Sequence, residues 1–162
     1  MILTIFTFVH VALSLVGIFS GCVVVFGLLT GKRLEGWNEL FLATTVLTSA
    51  TGFLFPFHHF LPSHAVGILS LIVLAVAIFA RYRRHLAGAW HRIYAISAVL
   101  ALYFNFFVLI VQFFLKVPAL HALAPTQSEI PFKLTQIIVL MFFCVLGIFA
   151  AVRSRNEQLR TA

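Results

Sequence analysis

Histidine is the residue type best placed to do chemistry in this sequence: there are seven, whereas the acidic residues are four Glu and no Asp. In His58-His59-x-x-Pro62-x-His64 three imidazoles fall across a short turn, and His10 can approach them from a separate apolar segment. Neutral imidazole ligates borderline metal ions and also serves as an axial haem ligand. His10, His58 and His64, with His59 as an alternative, are therefore candidate ligands for one divalent metal ion or one haem b. Ser14, Thr51, Asn105, Gln112 and Gln136 are candidates to line that pocket or to hold its ligands in place. The competing reading is interfacial histidine bonded to water, headgroups or loop backbone. The H-E-x-x-H signature and the Glu-x-x-His pairs of di-iron bundles are absent, which makes a bridged two-metal centre improbable. Without Asp, an Asp-dependent triad or an aspartyl-phosphate step is excluded. Ser and Thr nucleophiles have no evident His and carboxylate partners, so the chain leans away from being an enzyme. Cys22 and Cys144 stand far apart without a C-x-x-C motif and read as packing residues.

These residues are carried by a chain that is 62% hydrophobic and 9% charged over 162 residues, with a mean hydropathy of +1.11. A soluble domain has about 25% charged residues, so the composition points to a single all-α membrane domain over residues 1–162. Five apolar segments, 2–30, 38–60, 64–80, 93–115 and 133–152, are candidates to cross a bilayer as helices. The third is the shortest, reaching about 26 Å at 1.5 Å per residue. Nine of the eleven basic residues fall in the connections after the first and third segments and in the C-terminal tail, while Lys116 and Lys133 lie on the other side. The positive-inside rule then predicts five transmembrane helices with the N-terminus outside and the C-terminus cytoplasmic. The expected location is a bacterial cytoplasmic (inner) membrane. No Lys or Arg precedes the first apolar run, which continues past Cys22, so a cleaved signal is not expected. The basic residues sit at segment ends rather than in one solvent-facing patch, and the expected partner is therefore the lipid bilayer, with no nucleic acid. A homo-oligomer or a larger membrane complex is compatible with this chain.

Helical spacing places the polar groups on faces. His10, Ser14, Gly17 and Gly21 share one face of the first segment, and Gly17-x-x-x-Gly21 is a small-residue surface suited to helix contact. Thr44, Thr48, Thr51, Phe55 and His58 form a stripe on the second, where Pro56 removes the hydrogen bond to the Gly52 carbonyl and predicts a bend. Tyr94, Ser97, Ala101, Asn105, Val108 and Gln112 share a face of the fourth, and an amide at Asn105 needs a partner on another helix. Five histidines, His10, His58, His59, His64 and His121, map to the outer side. His85 and His91 accompany the inner arginines and read as solvated, headgroup-facing residues. The connection from Val117 to Phe132 contains Pro118, Pro125 and Pro131 and is long enough to fold back as a lid.

The stretches Thr48-Ser49-Ala50-Thr51-Gly52-Phe53-Leu54-Phe55-Pro56, Leu61-Pro62-Ser63-His64 and Leu123-Ala124-Pro125-Thr126-Gln127-Ser128-Glu129 resemble small uncharacterised bacterial multi-spanning membrane proteins. That resemblance implies a membrane protein and no catalytic residues. A weaker similarity is to transmembrane b-type cytochromes, in which histidines from different helices hold haem, with His10 and His58 as the implied pair. The third, fourth and fifth segments carry no deep histidine, so a second haem is not implied. The leading expectation is a membrane protein that binds a metal ion or haem through outer-face histidines, with electron transfer as its use. The alternatives are a small transporter or channel lined by the Thr stripe, Asn105 and Gln112, and a non-catalytic membrane subunit or assembly factor.

Overall fold

A computed structural model describes residues 2–32, 34–55 and 62–161. Among the described residues the regular elements are all helical and there is no strand. The order is α1 (Ile2–Thr30), α2 (Glu35–Gly52), α3 (Pro62–Ile78) running into a π-helical turn (Phe79–Arg83), α4 (Trp90–Lys116), the short α5 (Pro118–Leu123) and α6 (Ile130–Thr161).

Local chemistry explains most of these boundaries. After α1, Gly31 adopts φ 73° and the Lys32 amide donates to the Gly27 carbonyl at 2.9 Å, a left-handed stop that glycine tolerates at no steric cost. Proline opens both α3 and α5, where its missing N–H would have no helical partner anyway. Val117 is extended at φ −89°, ψ 114°, as a residue before proline must tend to be, and this separates α4 from α5.

The second segment departs from expectation. A helix over 38–60 is expected, yet α2 starts earlier, at Glu35, and ends at Gly52. Phe53 and Leu54 follow it as a tightened turn, with amides donating to Ala50 at 3.2 Å and Thr51 at 3.0 Å. Gly52 is a weak helix former, which favours an end to α2 at this point. Residues 56–61, and with them Pro56, His58 and His59, lie outside the described residues.

Four helices among the described residues are long and apolar enough to cross a membrane: Leu3–Thr30, His64–Arg83, Trp90–Lys116 and Ile130–Ser154. α2 is not one of them, because Glu35, Asn38, Glu39 and its threonines lower the mean hydropathy of its 18 residues. Large apolar side chains such as Phe8, Phe19, Met141 and Ile148 point outward, as helices solvated by hydrocarbon require.

α4 occupies the centre, packed against α1, α3 and α6, while α2 bridges α1 and α3. Ala77, Ala80, Ala95, Ala98, Ala101 and Ala150 are wholly buried. Small side chains at such contacts let backbones approach closely, which matters where lipid supplies no hydrophobic drive to associate. Glu35 reaches Arg81 and His91 lies against Ser154. These contacts gather the α1–α2 connection, the α3–α4 connection and the far part of α6 at one end, hereafter the basic end. His10, Thr51, His64, Lys116, α5 and the start of α6 belong to the opposite end.

Candidate functional site

The faces predicted for α1 and α2 meet each other. Contacts run antiparallel, from Gly27 against Leu34, through Gly21 against Phe41 and Gly17 against Thr44 and Thr45, to His10 bonded to Thr51. A Cβ on Gly21 would lie 2.7 Å from both Leu102 Cδ1 and the Phe41 ring, and one on Gly17 would lie 3.2 Å from Thr45 Oγ1. Both glycines therefore lie against other helices, as their spacing predicts. Asn105 finds its interhelical partner here as well, its Nδ2 donating to Thr45 Oγ1 at 3.3 Å. Gly17, Thr44, Thr45 and Asn105 thus close the junction of α1, α2 and α4.

Above this junction, toward the N-terminus of α1, is His10. Thr51 Oγ1 sits 2.8 Å from His10 Nδ1 and 2.7 Å from the Leu47 carbonyl oxygen. A carbonyl can only accept, so the Thr51 hydroxyl proton goes to Leu47 and the Thr51 oxygen accepts an N–H from Nδ1. In neutral His10 the proton is then on Nδ1 and the lone pair on Nε2. Phe55 meets the imidazole edge-on at 5.1 Å between centroids, and Phe6 packs on Phe55 at 4.9 Å. Lys116 ends α4 at this same end of the bundle. Ser14 is turned to its own helix and donates to the His10 carbonyl at 2.8 Å. Thr48 Oγ1, on the same α2 stripe, is buried without a hydrogen-bond partner among the described residues.

His64 is buried on α3, with its ring 5.8 Å from that of Phe53. His10 and His64 thus contact different residues at the end of α2: Thr51 and Phe55 for one, Phe53 for the other. The described residues contain no group of three or more His, Cys, Asp or Glu arranged to hold a metal ion. His58 and His59 lie outside them. His121 donates from Nδ1 to the Phe114 carbonyl at 3.3 Å, so it caps α4 and, like His10, carries its proton on Nδ1. Gln136 is buried and donates to the Phe107 carbonyl at 3.2 Å, while Gln112 is half-buried with no side-chain hydrogen bond among the described residues. The 117–132 connection does fold back: Gln127 donates to the Val111 carbonyl at 3.0 Å and Ala124 is fully buried.

At the basic end the structure contains a cluster that sequence reasoning missed. The Arg81 side chain is only 9% exposed. It pairs with Glu35, lies 5.6 Å over the Tyr94 ring and 5.7 Å over that of Tyr82, and keeps a buried Nε without a hydrogen-bond partner. The buried Tyr94 hydroxyl donates to Asn38 Oδ1, and Asn38 Nδ2 donates to the Leu34 carbonyl at 2.6 Å. Read as one of a run of basic loop residues, Arg81 is instead drawn inward from the π-helical turn. The available signal was Glu35-x-x-Asn38, two polar residues one turn apart at the start of an apolar segment. His91, expected to be solvated, is half-buried with Nδ1 3.4 Å from the Ser154 carbonyl.

Comparison of the chain with protein-family models, with curated proteins and with solved structures gives no match in any of the three.

Proposed function

We propose that this is a membrane protein with five transmembrane helices, its N-terminus outside and its C-terminus cytoplasmic, that holds a haem or a metal ion at its outer end with His10 as a ligand. One observation carries the ligand assignment: the Thr51 oxygen fixes the Nδ1–H tautomer of His10 and so presents an Nε2 lone pair. Metal-ligating histidines are typically oriented by a hydrogen bond from the other ring nitrogen. Haem suits the surroundings better than a bare divalent cation. Phe6 and Phe55 provide an aromatic wall, the cationic Lys116 is at the same end, and Glu129 at this end is bonded within its own loop. An anionic macrocycle tolerates such a setting, whereas a free dication has no carboxylate there to balance it. His58, His59 and His64 remain the candidates for the second ligand, and bound haem would supply one-electron chemistry.

The test is the visible spectrum of protein purified from haem-replete cells. A Soret band that His10→Ala removes supports the reading. Thr51→Val should keep the fold and weaken binding about 10- to 100-fold, the usual effect of losing a partner that orients a ligand. Protein that is colourless, metal-free on elemental analysis and unable to take up added haemin overturns it. That outcome favours a non-catalytic membrane subunit, the reading supported by Asn105, Gln127 and Gln136, whose amide nitrogens each donate between segments of this chain. The same engagement weighs against a transport path along the Thr stripe.

A further inference from the structure

Among the described residues, the Arg81–Arg92 elbow holds more positive charge than is neutralised. Among the described residues the single ion pair is Arg81 with Glu35, so Arg83, Arg84 and Arg92, all exposed, have no carboxylate partner there. The elbow is also built, with a backbone that few sequences adopt. The Arg84 amide donates to the Phe79 carbonyl at 3.1 Å and the Leu86 amide to the Ala80 carbonyl at 3.0 Å, which requires His85 at φ 49° and Leu86 at φ 57°, followed by Gly88 at φ 51°. This tight reversal brings the end of the π-helical turn beside the start of α4. Arg84 lies 5.1 Å over the Trp90 ring, and Phe79 packs edge-on against the same ring at 5.3 Å. Tyr82 is exposed alongside. An interfacial Trp and Tyr mark the depth of the lipid headgroups, and guanidinium groups bind phosphate with paired, charge-assisted hydrogen bonds.

We propose that this elbow is a binding site for the phosphate headgroup of an anionic phospholipid, with Arg84 and Arg92 as the principal contacts, Arg83 adding charge, and Trp90 and Tyr82 holding the glycerol and upper acyl region. The occupant is lipid and not free phosphate, because the arginines flank aromatic side chains at the ends of two apolar helices, where an amphiphile satisfies both. Arg81 serves the site indirectly: its contact with Glu35 takes up a carboxylate that would otherwise repel the headgroup. The proposal needs a membrane-spanning chain and is independent of any haem or metal at the opposite end.

Native mass spectrometry of the full chain, released from nanodiscs of equal phosphatidylcholine and phosphatidylglycerol, tests it directly. The wild type should retain phosphatidylglycerol preferentially. Each basic residue near a membrane surface contributes roughly fivefold in anionic-lipid affinity. Arg84→Gln with Arg92→Gln should then lower retention by about 25-fold, and the exposed Arg83→Gln alone by about fivefold, whereas Lys116→Gln with Lys133→Gln at the other end should leave it unchanged. If the double variant fails to fold, Arg83→Gln and the salt dependence of wild-type retention carry the test. Equal retention of both lipids by the wild type overturns the site, and so does undiminished retention by the arginine variants. Displacement of the lipid by millimolar inorganic phosphate overturns the lipid assignment.

Discussion

At the scale of single residues, the tightest constraint falls on a glycine. A methyl group at position 21 would sit 2.7 Å from Leu102 Cδ1 and the Phe41 ring, both buried in the core and forced to shift, so Gly21→Ala should destabilise by about 1–3 kcal/mol as overpacking does. Gly17→Ala meets threonine hydroxyls at 3.2 and 3.3 Å, which can give by a few tenths of an ångström, and should cost less. Gly36, with nothing within 4 Å of its would-be Cβ, is the control. Denaturant unfolding in detergent micelles measures all three. A Gly17 variant weaker than the Gly21 variant would contradict the α1–α2 register. Histidine was only partly legible at this scale. His10 stands out in the sequence as an ionisable side chain within an apolar run, but its tautomer depends on Thr51, forty-one positions away, and no local pattern encodes that pairing. His121, of the same type and on the same side as His10, is also held through Nδ1, by the α4 carbonyl it caps.

The elements themselves were largely legible, because runs of apolar residues and their proline and glycine punctuation are local properties. α1 matches its expected bounds, and α4 and α6 contain theirs. α2 has other bounds than expected, starting at Glu35 and ending at Gly52, since hydropathy cannot weigh Glu35 as the partner of an arginine on another helix. The connection from Val117 to Ile130 offers a prediction at this scale. Glu129 lies outside the spans, and desolvation alone would raise its pKa. Hydrogen bonds from the Thr126 hydroxyl and from backbone amides of this loop outweigh that, holding the carboxyl below its ordinary value. With the folded pKa below the unfolded one, the stabilisation is present above the unfolded value and is lost as pH falls through the folded one. Hydrogen exchange at the Thr126 and Ser128 amides, which face the carboxylate at 3.2 and 3.0 Å, should accelerate on acidification below the normal glutamate range, beyond the intrinsic change. Glu129→Gln should abolish that acceleration. Unchanged exchange across the range would remove the carboxylate from any role in folding the loop.

For the whole molecule, the sidedness of charge in the sequence has a counterpart in space: Lys32, Arg81, Arg84, Arg92 and Arg153 belong to the basic end, and Lys116 and Lys133 to the other. Among the described residues five long helices run between these ends, four of them apolar enough to cross a membrane. Single cysteines at positions 128 and 155, in a background lacking Cys22 and Cys144, should be modified by a membrane-impermeant reagent from opposite sides, with position 128 accessible from outside. Modification of both from one side would sink the five-span topology. What the sequence could not convey at this scale is which polar groups are spent within the bundle. Asn105, Tyr94 and Gln136 each look available as isolated residues, and each acquires a partner only once α4 stands among its neighbours.

The buried arginine of the π-helical turn has a further consequence, for how the chain is made. During synthesis α3 emerges before α4, so for an interval Arg81 has Glu35 to pair with but no Tyr94 ring to rest on, and an ionised group left facing lipid is costly. The third helix is consequently an incomplete passenger until the fourth is translated, and the two should leave the insertion machinery as a unit. A chain stalled between Arg81 and Tyr94 would display an Arg81–Glu35 pair lacking its aromatic cover, a mark by which membrane quality control can tell an unfinished molecule from a finished one.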